Sequence, residues 1–182
     1  MRSLLLLAIG CSTHEPTFCP VGDPTAAAAL DIIHLDDRYE PHTTTAYARV
    51  PLFLPQQGGW AARLGARATN IDGCHVDATT SFRDLDSAQV AKVDQRPTLL
   101  DDLGDGWGIT PATAISELQF CPQPAATRDL HDEPYEVTVE LVDLNGQHAA
   151  QSIVIVPVCD DDPTGRCLCM CARDYVIGSP CY

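Results

Sequence analysis

Apolar and polar positions alternate most regularly between residues 135 and 141. The apolar set is Tyr135, Val137, Val139 and Leu141, and its members are separated by Glu136, Thr138 and Glu140. A period of two predicts a β-strand with one buried and one exposed face. Asn145 and Gly146 then accept the positive φ of a tight turn, and a Val- and Ile-rich run at 153–158 follows. We therefore predict a β-hairpin whose second strand is apolar on both faces and lies inside a sheet.

Several shorter segments also carry β-rich patterns. They are residues 43–54, 60–71, 74–83, 89–93 and 114–121. Asp72 and Gly73 predict a second hairpin between 60–71 and 74–83, and Leu118 and Phe120 are expected to point inward. The rest of 84–111 is expected to form loops. Residues 26–33 could form a helical turn, because alanine favours helices, or could equally form a strand.

Six to eight short strands separated by turn signals are typical of an all-β sandwich. The last hairpin resembles the final two strands of PKD, cadherin-like and bacterial Ig-like domains, through Tyr135, Val137, Val139, Asp143 and Gly146. This resemblance implies an Ig-like (Greek-key) β-sandwich, which we assign to residues 25–158. Residues 159–182 form a Cys-rich C-terminal tail with too few apolar residues to fold unaided.

The chain begins with an export signal. One Arg and a short apolar run occupy residues 1–10, which is shorter than the about 20 residues that a membrane-spanning helix needs. Residues 7–11 resemble the lipobox of bacterial lipoproteins, which implies a lipid on Cys11 and a lipidated tether over 11–24. The resemblance, with Ser12 after the cysteine, implies anchoring in the outer membrane or at the cell surface. The alternative is an ordinary cleaved signal and a secreted or periplasmic protein.

Nine cysteines leave one unpaired in an oxidising compartment. If Cys11 carries the lipid, the remaining eight can all form disulfides: Cys19, Cys74, Cys121, Cys159, Cys167, Cys169, Cys171 and Cys181. We predict a bridge between Cys74 and Cys121, and an extended tail whose alternating cysteines bond outward. The alternative is a zinc site on Cys167, Cys169, Cys171 and Cys181, although Cys-X-X-Cys knuckles are absent from the sequence.

Acidic residues outnumber Lys and Arg by 25 to 11, which gives a formal charge of -14. This charge repels phosphate backbones, so we expect no nucleic-acid partner. Two acidic groups could bind calcium through carboxylate oxygens on flexible loops. They comprise Asp101, Asp102 and Asp105 in one loop, and Asp160, Asp161 and Asp162 in another. Solvated acidic loops are the alternative.

The sequence contains no recognisable catalytic motif. Cys74, His75 and Asp77 have suitable chemistry, but neighbours on a strand point to opposite faces. We therefore expect a non-enzymatic binding, adhesion or structural module that contacts the membrane through its lipid and a protein or glycan partner through residues 101–108 and the tail. The exposed aromatics Trp60, Trp107 and Tyr175 could serve as contact platforms or plug the sandwich end. A metal-binding or redox tail is the main alternative, and a hydrolase is the third.

Overall fold

The computed structural model describes residues 19–124, 126–160 and 162–181. The strands of the first half are β1 Pro20–Val21, β2 Ala29–Leu35, β3 Pro41–Thr43, β4 Ala48–Pro51, β5 Trp60–Thr69, β6 Ile71–Asp72 and β7 Val76–Asp84. Those of the second half are β8 Val90–Thr98, β9 Asp101–Asp102, β10 Trp107–Ile109, β11 Ser116–Cys121, β12 Tyr135–Asp143 and β13 His148–Val158, followed by helix α1 Arg166–Cys171. The predicted signal peptide and Cys11 lie outside the described residues.

Two sheets pack face to face. One has the order β3-β2-β5-β10-β9, with β11 also paired to β5, and the other has the order β4-β13-β12-β7-β8. Strand β4 pairs in parallel with β13, whereas the other ladders are antiparallel. The chain therefore enters through one sheet at β2, crosses to the other at β4 and places the last strand between β4 and β12. This arrangement confirms the predicted all-β, Greek-key sandwich.

Three aromatic rings fill the middle of the core and join the two sheets. Phe82 of β7 stacks on Phe120 of β11 with ring centroids 4.1 Å apart, and Tyr135 meets Phe82 edge-on at 5.8 Å. Leu118 and Phe120 are fully buried, as predicted. The Tyr135 hydroxyl donates a hydrogen bond of 2.8 Å to the carbonyl oxygen of Asp129. A tyrosine at the start of this strand that bonds back to the preceding loop is the tyrosine corner of Ig-like sandwiches.

The hairpin between β12 and β13 is confirmed, with Leu141 opposite Ala149. The Asp143 carboxylate closes its turn by accepting hydrogen bonds from the amides of Asn145 and Gln147. Residues 29–35 form a strand, which resolves the helix-or-strand alternative in favour of β2. Residues 84–111 contain more β-structure than expected. Strand β8 lies at the edge of its sheet and is mostly exposed, so its sequence carries only a weak apolar pattern.

The predicted hairpin at Asp72 and Gly73 is wrong. Strands β5 and β7 belong to different sheets, and the turn carries the chain between them. Asp72 is instead held by β1, whose residues Pro20 and Val21 pair with β6, and its carboxylate accepts a hydrogen bond from the Cys19 amide. Residues 19–21, which belong to the segment predicted as a tether, are therefore part of the folded domain.

The predicted extended tail is also wrong, because Arg166–Cys171 is helical. The Asp162 carboxylate accepts hydrogen bonds from the amides of Thr164 and Cys167 and starts the helix. Cysteines at every second position include an i, i+4 pair, and residues four apart share one face of a helix. Cys167 and Cys171 accordingly face the core and are fully buried.

No helix among the described residues has the length and apolar character required to cross a membrane.

Candidate functional site

Four disulfides join all eight of the predicted cysteines. The pairs are Cys19–Cys74, Cys121–Cys171, Cys159–Cys167 and Cys169–Cys181. The predicted Cys74–Cys121 bridge is wrong, because the pairing of β1 with β6 brings Cys19 to Cys74, and the tail helix brings Cys171 to Cys121. Four disulfides are typical of a protein that folds in an oxidising, extracytoplasmic compartment.

The cysteines of the zinc alternative are divided among three of these disulfides. The sulfur atoms of Cys159, Cys167 and Cys171 lie within 4.8 Å of one another, and the Sγ atoms of Cys167 and Cys171 are 3.9 Å apart. A metal requires thiolates as ligands, so this cluster could ligate a metal only after reduction.

The two regions predicted to recognise partners lie at opposite ends of the sandwich. Strand β5 has ten residues and therefore spans about 30 Å. Its first residue, Trp60, pairs with Cys121 beside the tail helix, and its last residue, Thr69, pairs with Trp107. Residues 101–108 thus lie at the Cys19 end, where the Leu100 amide bonds to Gly73. We call the Cys19 end the tether end and the Trp60 end the distal end.

Most of the predicted calcium ligands accept hydrogen bonds from backbone amides in turns or form ion pairs. Asp102 accepts a hydrogen bond from the Gly104 amide, Asp105 pairs with Arg67 and Asp160 pairs with Arg49. Asp101 is exposed on β9, Asp162 accepts a hydrogen bond from the Cys167 amide in the first turn of the tail helix, and Asp161 lies outside the described residues. Within the described ranges, the predicted ligands do not meet in any group of three, and a calcium site on them stays a prediction.

Three other side chains that could hold a metal ion do lie close together: Asp36, Glu40 and His42. The sequence did not single them out. The Asp36 carboxylate accepts hydrogen bonds from the Arg38 and Glu40 amides and from the His42 ring. The Glu40 amide and the His42 ring hold the pKa of Asp36 below its usual value. Asp36 therefore fixes the turn between β2 and β3 through both of its carboxylate oxygens.

This turn forms one wall of a cleft of about 300 Å³ at the distal end. The second wall is the segment after β4, which pairs with β5 through Phe53 and Ala61. Because β4 belongs to the opposite sheet, the chain must cross the sandwich end to reach β5, and a gap is left beside the turn. The lining residues are Leu35, Asp36, Asp37, Tyr39, Pro51, Leu52, Phe53, Leu54, Trp60 and Arg63.

Arg63 occupies an unusual position in this cleft. Its guanidinium lies between the rings of Tyr39 and Phe53, 4.0 Å and 3.6 Å from their centroids. Arg63 is only 8% exposed, and its Nη2 donates a hydrogen bond of 2.9 Å to the Tyr39 hydroxyl. Throughout the described chain, no carboxylate lies within 4.0 Å of it. Stacking on aromatic rings offsets only part of the cost of burying a charge, which is several kcal/mol.

Two other arginines that stack on rings show what is missing at Arg63. Arg67, on the same strand and the same face, lies 4.6 Å from the Trp107 centroid and pairs with Asp105 at 2.9 Å. Arg128 lies over Tyr135, 3.4 Å from the nearest Asp84 oxygen. The Nε atoms of Arg63 and Arg67 are buried without a hydrogen-bond partner, whereas the Nε atom of Arg128 is the one that lies 3.4 Å from Asp84. Glu117 lies opposite Arg63 on β11, but neither it nor any other carboxylate of the described chain comes within 4.0 Å of Arg63, and this distinguishes Arg63 from the other two arginines.

Trp60 adds a second unsatisfied donor to the cleft. Its Nε1 is buried without a hydrogen-bond partner, and the residue is 7% exposed. The burial of Trp60 fits the alternative in which its ring plugs the end of the sandwich. Trp107 and Tyr175 are half-buried, and the Tyr175 hydroxyl donates a hydrogen bond to the Ser179 carbonyl.

The chemistry of this cleft is that of binding. It offers the guanidinium of Arg63, aromatic rings and the carboxylates of Asp36 and Asp37. The residues considered for catalysis lie elsewhere: Cys74 is disulfide-bonded, and His75 and Asp77 are exposed near the tether end. In the sequence, Ala62, Leu64 and Ala66 alternate with Arg63 and Arg67, which predicts that the arginines lie on the face of β5 opposite to the alanines. No pattern in the sequence indicates Tyr39 and Phe53, which come from separate loops.

Comparison with protein-family models and with curated proteins finds no match to this sequence.

Proposed function

We propose that the protein is an exported, lipid-anchored binding module of the cell envelope, without enzymatic activity, that recognises its ligand through the distal cleft. The observation that carries this proposal is the buried Arg63, which is held between two rings and lacks a carboxylate. A folded protein retains a buried, unpaired charge only when another requirement opposes its loss. Binding an anionic group from outside is such a requirement.

The position of the cleft fits an anchored protein. The disulfide between Cys19 and Cys74 fixes the start of the described chain at the tether end. The predicted lipid on Cys11 precedes Cys19 by only a few residues, so the tether end would face the membrane. The cleft would then face away from it, at a distance of about 30 Å along β5. An outer-membrane or cell-surface location follows from the lipobox resemblance.

The cleft walls are fixed before a ligand arrives, which favours binding. Asp36 holds the turn on one side, and the Phe53 amide donates a hydrogen bond of 2.9 Å to the Ala61 carbonyl on the other. The Cys121–Cys171 disulfide lies beside the first residue of β5. A site whose side chains are already positioned loses less entropy on binding.

Two measurements test the proposal. The intact mass of protein from its native membrane should lack residues 1–10, carry added acyl groups and show eight cysteines that alkylate only after reduction. The processed domain should be retained on cell-envelope material from the same cells, and Arg63→Gln should lower retention about 10-fold or more. Arg67→Gln is the matched control, because Arg67 is also stacked on a ring but has its own carboxylate.

Free thiols without reductant, with bound metal, would instead favour the metal-binding or redox alternative for the tail. Equal retention of the wild type and the Arg63→Gln variant would contradict recognition through the cleft.

A further inference from the structure

We infer that the distal cleft binds a sugar that carries a single carboxylate, as one unit of an acidic glycan, with the carboxylate placed against the buried Arg63. This inference rests on the proposed function and names its ligand class. Three features carry it: the unpaired cation, the charges that surround it, and the shape of the cavity on either side of it.

The unpaired guanidinium requires an anion. The Cζ atom of Arg63 lies 4.0 Å from the Tyr39 centroid and 3.6 Å from the Phe53 centroid, so a ligand must approach the guanidinium beside these rings. Nη2 is occupied by Tyr39, while Nε is buried without a partner. An incoming carboxylate would supply the ion pair that Arg63 lacks and that Asp105 supplies at Arg67 through Nη2. Guanidinium and carboxylate groups match each other in geometry and charge.

The surrounding charges favour a single carboxylate over a phosphate or sulfate group. Asp36 and Asp37 line the same cleft, Glu117 lines the adjoining depression, and the whole protein carries a formal charge of -14. One guanidinium can balance one negative charge. A phosphate dianion would bring a second charge toward these carboxylates and would be repelled.

The polar groups around Arg63 favour a sugar over a peptide carboxylate. The aromatic residues Tyr39, Phe53 and Trp60 line the cleft together with the polar groups of Arg63 and Asp37. A sugar ring presents hydroxyls around an apolar face, which suits a cleft that mixes donors, acceptors and aromatic rings. The volume of about 300 Å³ is at the lower end of small-molecule sites, which is suitable for one ring.

A second depression extends the cleft and indicates that the sugar belongs to a chain. It has a volume of about 240 Å³, shares Tyr39, Phe53, Leu54 and Arg63 with the cleft, and is lined further by the amide side chains of Gln56 and Gln57. Two cavities that share one arginine can hold adjacent units of an oligosaccharide. The carboxylate of one unit would lie at the shared point.

The test is a titration of the processed, disulfide-bonded domain with methyl glucuronide, followed by calorimetry or by NMR signals of the Trp60 indole. Methyl glucoside, which lacks the carboxylate, should bind at least about 10-fold more weakly, because a hydrogen bond to a charged group is lost. Arg63→Gln should weaken glucuronide binding by about 10- to 100-fold, and Arg67→Gln should change it less than about twofold.

A second variant keeps the test decisive if Arg63→Gln fails to fold. Asp37 is exposed on the turn, so Asp37→Asn should fold normally and should bind glucuronide about two- to fivefold more tightly, because a like charge is removed. Inorganic phosphate and a short peptide with a free C-terminal carboxylate are the competing probes. Tighter binding of either probe than of glucuronide at the cleft would overturn the inference.

The two proposals fail in different ways. Loss of envelope retention in Arg63→Gln, combined with no difference between glucuronide and glucoside, would overturn the ligand class and leave the proposed function standing. Glucuronide binding that Arg63→Gln and Asp37→Asn both leave unchanged would also overturn the inference, because the sugar would then bind elsewhere.

Discussion

Replacing Tyr135 with Phe tests the tyrosine corner, which ties the loop before β12 to the core. The ring is 1% exposed and packs against Phe82 and Phe120, so Tyr135→Phe keeps these contacts and removes only the hydroxyl. The hydrogen bond to the Asp129 carbonyl, 2.8 Å long, is lost. We expect the free energy of unfolding at pH 7 to fall by about 1–2 kcal/mol, because the bond disappears and its acceptor is left unpaired.

The same variant should change how stability depends on alkaline pH. Burial raises the pKa of Tyr135 from 10.0 to about 12. Between these two values the tyrosine ionises in the unfolded chain but not in the folded one, so the unfolded state gains stability as the pH rises. The wild type should therefore lose up to about 2–3 kcal/mol from this residue between pH 10 and pH 12. Tyr135→Phe should lose that much less over the same range.

The assay is urea unfolding followed by fluorescence at pH 7, 10 and 12. Tyr47→Phe is the matched control, because Tyr47 is 64% exposed and its removal should leave both quantities unchanged. The effect at pH 7 corresponds to a melting temperature lower by about 2–8 °C. A Tyr135→Phe variant as stable as Tyr47→Phe at pH 7, with the same alkaline loss, would refute the reasoning.

Three further perturbations test the distal end. Gly59→Ala should lower the free energy of unfolding by about 2–4 kcal/mol in urea, because φ is positive and a Cβ would lie 2.6 Å from a backbone oxygen of β11. Gly58→Ala should lower it by only about 1 kcal/mol, because Gly58 also has a positive φ but a Cβ there would enter open space. Replacing the Cys121–Cys171 pair with Ala should cost about 4 kcal/mol by chemical denaturation, from the 50-residue separation that it closes. Burial, and to a smaller extent the nearby His42, lower the pKa of His34 below 6.5. As the pH falls, the unfolded chain therefore binds a proton at His34 before the folded protein does, which destabilises the fold. The melting temperature should fall between pH 7 and pH 5 in the wild type, and it should fall less in His34→Gln. Equal costs for the two glycine variants, a disulfide variant as stable as the wild type, or identical pH slopes would contradict the respective accounts.

Local signals predicted the elements whose partners are near in sequence. The hairpin of β12 and β13 was predictable because its alternation and its Asn145-Gly146 turn belong to one segment. Asp72 and Gly73 carry an equally good turn signal, yet the flanking strands join different sheets. The choice between a hairpin and a crossover depends on which distant strands cover each edge, and two adjacent turn residues do not encode it.

The candidate site shows the same division. The alternation of β5 predicts that Arg63 faces away from the core, and the structure confirms it. The two rings around Arg63 come from a turn in which Tyr39 has a φ of 64° and from a crossing segment that contains Phe53. Neither has a periodic pattern that would place it over β5. The site therefore becomes apparent only in three dimensions, where two separate loops meet at Arg63 and no carboxylate of the described chain lies within 4.0 Å of it.

The central claim is that recognition occurs at the distal end, through Arg63. Its most direct test is photo-crosslinking in the cells that make the protein, with a benzophenone amino acid at Leu54 in the cleft or at Leu144 near the tether end. Both positions are exposed, at 48% and 63%. We predict that Leu54 captures a discrete envelope component, that Leu144 does not, and that Arg63→Gln abolishes the Leu54 product. The same product from both positions, or a Leu54 product that persists in the Arg63→Gln variant, would contradict the claim.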